Sequence, residues 1–165
     1  MAWKLRAAVI FVVGFLIAGC LWFGYVVRAR YQGNEYVVQL TAAFNAASLV
    51  NGEETYTDAE RAVVSEYDGQ RYVVLPENYK AIVSLLHRNN AMPLLRRVGK
   101  DAPLSIVICD AARIRVEPEG EDAAYVSLVT DAGKGFTMHI RGGNIWKQIL
   151  EYATLGHSEN RNIPV

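Results

Sequence analysis

An uncharged run of 21 residues near the N-terminus constrains this chain more than any other feature. Residues 7–27 read AAVIFVVGFLIAGCLWFGYVV. At about 1.5 Å per residue, a helix of this length measures about 31 Å, the thickness of the hydrocarbon core of a bilayer. Basic side chains flank both ends, and aromatic rings lie near the two expected interfaces, as in membrane-spanning helices. We therefore predict a transmembrane helix over residues 7–27.

Two other interpretations of the run stay open. A cleaved secretory signal has an apolar region of about 7–15 residues before its cleavage site, whereas this run continues beyond any such site. Residues 17–20, Ile-Ala-Gly-Cys, resemble the lipobox of bacterial lipoproteins, which would make Cys20 a lipidated residue. The chain stays apolar after Cys20, so the length of the run favours a spanning helix.

The layout of the chain indicates which side of the membrane the domain occupies. Each end of the run carries two basic side chains, and the N-terminal amine adds to the first end. A short tail over residues 1–6, one helix and then the whole domain form a signal-anchor arrangement. We therefore expect a single-pass protein of the cell membrane with an extracytoplasmic C-terminal domain.

The charges of the chain balance overall but are unevenly distributed. Each sign counts 17 side chains, and the first 30 residues hold four basic groups and no acidic ones. Residues 31–165 therefore have a net charge of −4 with histidine neutral. Nucleic-acid binding depends on basic surfaces, so no nucleic-acid partner is expected. The expected partners are the lipid bilayer, through residues 7–27, and proteins of the cell envelope.

Cysteine and histidine positions predict no cross-link and no metal site. Cys20 lies in the apolar run and Cys109 in a strand-like segment, so the two thiols are not expected to meet. The histidines do not fall at zinc-ligand spacing, and the signatures of nucleotide-binding loops, serine hydrolases and zinc proteases are absent from the sequence. We predict a domain that folds without disulfide, metal or cofactor and that is not an enzyme.

The first half of the domain is predicted to contain two helices and a tight hairpin. After a short linker over residues 28–35, apolar residues at helical spacing predict a helix from Tyr36 to Val50. Asp68-Gly69 between two β-rich runs predicts a two-residue turn that pairs Glu66 with Arg71. Pro76 opens a second helix, which is expected to end at Asn89-Asn90.

The second half is predicted to be a β meander closed by a helix. Residues 91–103 contain Pro and Gly and are expected to form a loop. Apolar runs and alternation then predict strands over residues 104–109, 112–117, 125–130 and 136–141. Residues 117–122 form a solvated acidic turn. Gly143-Asn144 opens the last helix, and residues 157–165 form a polar tail.

This grouping of strands indicates an α+β domain over residues 36–156. It has one mainly antiparallel sheet of five to six strands, packed by about three helices. The element order β-β-α-β-β-β, behind a helix that leaves the membrane, is similar to that of PAS-like and Cache-like extracytoplasmic sensor domains. The resemblance implies an alternative function as a small-molecule sensor, with a ligand cavity between the sheet and the helices.

One face of the predicted sheet collects basic side chains from two strands. Arg113 and Arg115 point outward from one strand, and His139 and Arg141 from another. The fork of donors on Arg matches carboxylate and phosphate groups, so these four residues are the predicted anion-binding site. We expect this binding to weaken as salt rises and to strengthen as histidine is protonated.

A catalytic interpretation of the same region rests on Asp110, which ends a strand and could approach His139 as an acid–base pair. No nucleophile or second carboxylate is grouped with them, so an enzyme is the less favoured alternative. We expect a membrane-anchored, non-catalytic binding or assembly domain of the cell envelope, with the sensor domain as the first alternative.

Overall fold

Three helices and seven strands make up the part of the chain that the structure describes. The computed structural model describes residues 2–50, 63–87, 92–93, 98–99, 101–109 and 111–154. The helices are α1 (Ala2–Val50), α2 (Pro76–Leu86) and α3 (Ile145–Thr154). The strands are β1 (Val63–Tyr67), β2 (Gln70–Val73), β3 (Met92–Pro93), β4 (Leu104–Ile108), β5 (Ala112–Pro118), β6 (Ala123–Thr130) and β7 (Gly135–Arg141).

The strands form one antiparallel sheet in the order β2-β1-β4-β5-β6-β7-β3. Six of them have four or more residues, and β3 adds a two-residue strand at one edge. Ile106, Ile114 and Leu128 are fully buried on the face that the helices cover. Their neighbours along each strand point to the opposite face, as the two-residue period of a strand requires. The predicted α+β class, with one mainly antiparallel sheet and three helices, is confirmed.

The predicted hairpin turn at Asp68-Gly69 is confirmed. Both residues have positive φ angles, 51° and 73°, as a type I′ turn requires. Glu66 pairs with Arg71 across the two strands, and their side chains form an ion pair of 3.3 Å. The two-residue turn therefore determines the register of β1 and β2 from local sequence alone.

The N-terminal helix changes character along its 49 residues. Side chains of residues 9–28 are exposed around the whole helix, and Ile10, Phe11 and Phe15 are each more than 70% exposed. In length and composition, α1 could cross a membrane, a property that signal sequences share. Its last turns belong instead to the core of the domain, where Leu40 is fully buried and Phe44 is 2% exposed.

The linker predicted over residues 28–35 is helical, so α1 joins its two halves without a break. The sequence of this segment, RARYQGNE, contains no proline, and its single glycine is Gly33. One glycine inside a helix costs about 1 kcal/mol, which the helical segments on both sides readily offset. The change from apolar to polar residues marks a change in the environment of the helix, while the helix itself continues.

The core lies between the three helices and one face of the sheet. The centroids of the Phe44 ring and the Tyr79 ring of α2 are 5.5 Å apart, so α1 packs against α2 as well as the sheet. The buried Tyr36 hydroxyl donates a hydrogen bond of 3.3 Å to the Leu86 carbonyl oxygen, and burial raises the pKa of this phenol. Ser65 donates from β1 to the Ala153 carbonyl oxygen and thereby holds the end of α3.

The segment predicted as a loop over residues 91–103 contributes an edge strand. Met92 pairs with His139 of β7, and Pro93 pairs with Met138. Proline cannot donate a ladder hydrogen bond, but it is tolerated on an edge strand, where one side of the backbone has no partner strand. The predicted end of the second helix at Asn89-Asn90 and the predicted C-terminal tail lie outside the described residues.

Candidate functional site

The four predicted anion-binding residues share the face of the sheet that lies opposite the helices. Arg113 and Arg115 lie on β5, and His139 and Arg141 lie on β7. Strand β6 runs between β5 and β7, so these two strands are about 10 Å apart. The two pairs are also offset along the strands, because Arg115 shares a row with Thr137 and His139 shares a row with Glu117. We call this surface, with the Ser127 and Tyr125 side chains of β6 between the two pairs, the outer face.

Pairing across the three strands arranges the outer face in rows. Arg115 is opposite Ser127, which is opposite Thr137. In the next row, Tyr125 stands between Glu117 and His139. An acidic side chain thus enters the same face as the arginines, so the surface has mixed charge.

His139 is held by the Glu119 carboxylate, which is not among the four predicted site residues. The residue is 8% exposed, and its Nε2 atom lies 2.7 Å from Glu119 Oε2. The ring stacks on Tyr125, with centroids 4.7 Å apart and planes inclined by 22°. Within the described part of the chain Nε2 has no aligned hydrogen-bond partner, so its approach to Glu119 is a close contact without hydrogen-bond geometry.

Several groups around Glu119 favour the ionised form of its carboxyl. The Tyr125 hydroxyl donates a hydrogen bond to Glu119 Oε1. This bond, followed by the close contact with His139 and the charge of Arg141, holds the pKa of the Glu119 carboxyl below its ordinary value of 4.5. The carboxylate therefore ties the turn after β5 to the strand β7 at neutral pH.

Residues 119–122 of the predicted acidic turn are exposed, and hydrogen bonds hold the turn in place. The Glu119 backbone N–H donates to the Ala123 carbonyl oxygen at 2.8 Å and closes the turn. Asp122 Oδ1 accepts a hydrogen bond of 2.7 Å from the Asn144 backbone N–H, next to the first residue of α3. The turn therefore joins the outer face to the start of the last helix.

One signal in the sequence could have identified Glu119. Positions 113, 115 and 117 alternate outward along β5, and Glu119 is the next position of the same alternation. Pro118 and Gly120 mark a turn, which predicts a solvated Glu119 side chain. Continuing the alternation by one residue would have placed a carboxylate beside the predicted basic surface.

The catalytic pair proposed from the sequence is only partly described by the structure. Asp110 lies outside the described residues, as does His157, so the structure does not test the pairing of Asp110 with His139. His87 lies at the C-terminal end of α2 and is exposed. Of the three histidines, His139 is the one that the structure places among the predicted site residues.

Comparison with known proteins identifies no family for this chain. No protein-family model, curated protein or solved structure matched it. The function therefore has to be argued from the geometry of the chain itself.

The contact of Glu119 with Tyr125 and His139 makes a prediction about stability and pH. Because the folded-state pKa of Glu119 is lowered, its stabilising effect is complete above pH 4.5 and is lost as pH falls through the folded-state value. The substitution Glu119→Gln keeps an oxygen that can accept from Tyr125 but removes the charge. We expect it to lower the thermal midpoint of the full chain in detergent at neutral pH, with a difference that shrinks in acid.

Glu121→Gln is the matched control, because Glu121 is an exposed carboxylate of the same turn. Its midpoint should follow that of the unmodified chain at every pH. Identical midpoints for Glu119→Gln and the unmodified chain at neutral pH would show that the negative charge of Glu119 contributes nothing to the stability of the fold.

Proposed function

We propose that this chain is a membrane-anchored, non-catalytic domain that binds or assembles with other components of the cell envelope. The observation that carries the proposal is the continuity of α1. Its first half exposes apolar side chains on every side, and its second half is buried in the core of the domain. A bilayer would cover the exposed half, since about 20 apolar residues suffice to span it.

A continuous helix would restrict how the domain moves relative to the membrane. The domain cannot rotate freely about a flexible linker, because the helix that would span the bilayer is also part of the hydrophobic core. Such a helix would hold the sheet in one orientation above the membrane and present the outer face to a partner. This arrangement suits assembly with a neighbouring molecule, whereas capture of distant partners favours a flexible tether.

The packing of the interior favours binding on the surface over binding in a central cavity. A sensor domain would need a ligand-sized space between the sheet and the helices. In the described chain, large apolar side chains occupy this layer, among them Leu40, Ile82 and Ile114, each fully buried. The outer face carries polar and charged groups instead, and we propose it as the surface that meets a carboxylate, phosphate or envelope polyanion.

The anchor and its orientation can be tested in cells. We expect the full-length chain to stay with membranes after an alkaline carbonate wash, because the apolar half of α1 would lie in the bilayer. In a Cys20→Ser, Cys109→Ser background, an impermeant thiol reagent applied to intact cells should label Glu121→Cys. The reagent should label Trp3→Cys only after permeabilisation.

Recovery of the full-length chain in the soluble fraction would contradict the anchor. A mature N-terminus after Gly19 would replace it with the lipoprotein interpretation. Labelling of Trp3→Cys in intact cells, without labelling of Glu121→Cys, would place the domain in the cytoplasm.

The proposed role of the outer face can be tested by measuring the binding of polyphosphate. We expect the full chain in detergent to bind polyphosphate with an affinity that falls as ionic strength rises, because exposed charge contacts are screened. Arg113→Ala with Arg115→Ala should remove the binding and change the free energy of unfolding by less than about 0.5 kcal/mol.

Arg71→Ala with Lys147→Ala is the matched control, since both residues are exposed and the change in charge is the same. The control should keep the affinity of the unmodified chain. An equal loss of affinity in the control would mean that the binding follows net charge alone, and the outer face would no longer be the proposed site.

A further inference from the structure

An open cleft lies where α1 passes the hairpin of β6 and β7. Its volume is about 390 Å³, within the range of small-molecule sites. We call it the juxtamembrane cleft, and it is lined by Arg28, Tyr31, Gln32, Glu35, Lys134, Gly135 and Phe136. The first four residues belong to α1, and the last three belong to the end of the hairpin turn and the start of β7.

A long-range ion pair builds the cleft. Lys134 Nζ lies 2.7 Å from Glu35 Oε1, although the two residues are 99 positions apart in the sequence. The Glu35 carboxylate raises the pKa of the Lys134 ammonium, so the lysine is cationic at neutral pH. The Lys134 side chain is 53% exposed and the Glu35 side chain is 25% exposed, so the ammonium can still meet a ligand in the cleft.

The cleft also lies at a defined depth relative to the apolar run. Arg28 directly follows Val27, the last residue of the run. With α1 along the membrane normal, Tyr31 would lie about 6 Å and Glu35 about 12 Å beyond the hydrocarbon. The headgroup layer of one leaflet is about 5–8 Å thick. The lower half of the cleft would therefore fall within this layer, and Lys134, paired with Glu35, would lie at its water side.

The chemistry of the lining matches the phosphate of a lipid headgroup. The Arg28 guanidinium offers a fork of donors that fits phosphate oxygens, and the Lys134 ammonium adds a second positive charge. The Tyr31 hydroxyl can donate a further hydrogen bond, and the Phe136 ring supplies an apolar wall. With Glu35 as the one acidic lining residue, the cleft has a formal charge of +1.

We propose that the juxtamembrane cleft binds the phosphate of an anionic phospholipid headgroup between Arg28 and Lys134. The inference rests on the proposed span of α1, which would bring the cleft to the headgroups. Glu35 competes with the phosphate for Lys134, so the carboxylate limits the affinity. Binding a lipid there would join the hairpin of β6 and β7 to the bilayer surface and limit tilting of the domain.

Spin-labelled lipids test this assignment on the full chain in phosphatidylcholine bilayers. The lipid component immobilised by the protein should favour phosphatidylglycerol over phosphatidylcholine by about two- to five-fold, as expected for a few partly exposed charge contacts. Arg28→Gln with Lys134→Gln should abolish most of this preference. Glu35→Gln should strengthen it, because the competing carboxylate is gone.

Arg30→Gln with Lys147→Gln is the matched control. Arg30 lies at almost the same depth as Arg28 but does not line the cleft, and the change in net charge is identical. This control should keep the preference for phosphatidylglycerol. Loss of the preference in both double variants would show that anionic lipid is attracted to basic residues in general. It would overturn the assignment of the cleft as a headgroup site.

Two further outcomes separate this inference from the proposed anchor. If the protein immobilises no labelled lipid, the span itself fails, and the cleft is overturned with it. If lipid is immobilised but the preference does not depend on Arg28 and Lys134, the cleft alone is overturned. Inorganic phosphate added at constant ionic strength should not displace the labelled lipid, and displacement would assign the cleft to free phosphate instead.

Discussion

The packing of the second half of α1 against the sheet determines how the whole molecule is arranged. Tyr36 and Leu40 are fully buried, and Phe44 is 2% exposed. Burying an aromatic or leucine side chain contributes about 1.5–3 kcal/mol, so these contacts are a large fraction of the stability of an ordinary domain. Because the same helix continues to its apolar half, any membrane that holds the first half also orients the sheet.

The remaining polar contacts organise two regions that this helix leaves accessible, the outer face of the sheet and the hairpin end near α1. On the outer face, Glu119 holds His139 and Tyr125 and makes the surface one of mixed charge. At the hairpin end near α1, the ion pair between Glu35 and Lys134 connects the helix to the turn. The proposed binding roles of the two regions differ accordingly, since one faces away from the helices and the other lies beside the end of the apolar run.

Local sequence signals predicted local structure well. They failed where contacts between residues distant in the sequence determine the structure. The turn at Asp68-Gly69 and the outward alternation of Arg113 and Arg115 depend on neighbouring residues, and both are found as predicted. The two-residue strand β3 exists only because β7 pairs with it, and two residues carry no periodic signal. Nothing local connects Glu35 with Lys134, so the juxtamembrane cleft could not be predicted.

The continuity of α1 can be measured directly by pulsed electron spin resonance in lipid nanodiscs. Spin labels on the native Cys20 and on Val38→Cys, with Cys109→Ser, occupy two exposed sites. They are 18 residues apart, on the same side of the helix. An unbroken helix predicts one narrow distance distribution, with the two backbone positions separated by about 27 Å. A broad distribution, or a second population at shorter distance, would show a flexible joint and contradict the rigid coupling of anchor and domain.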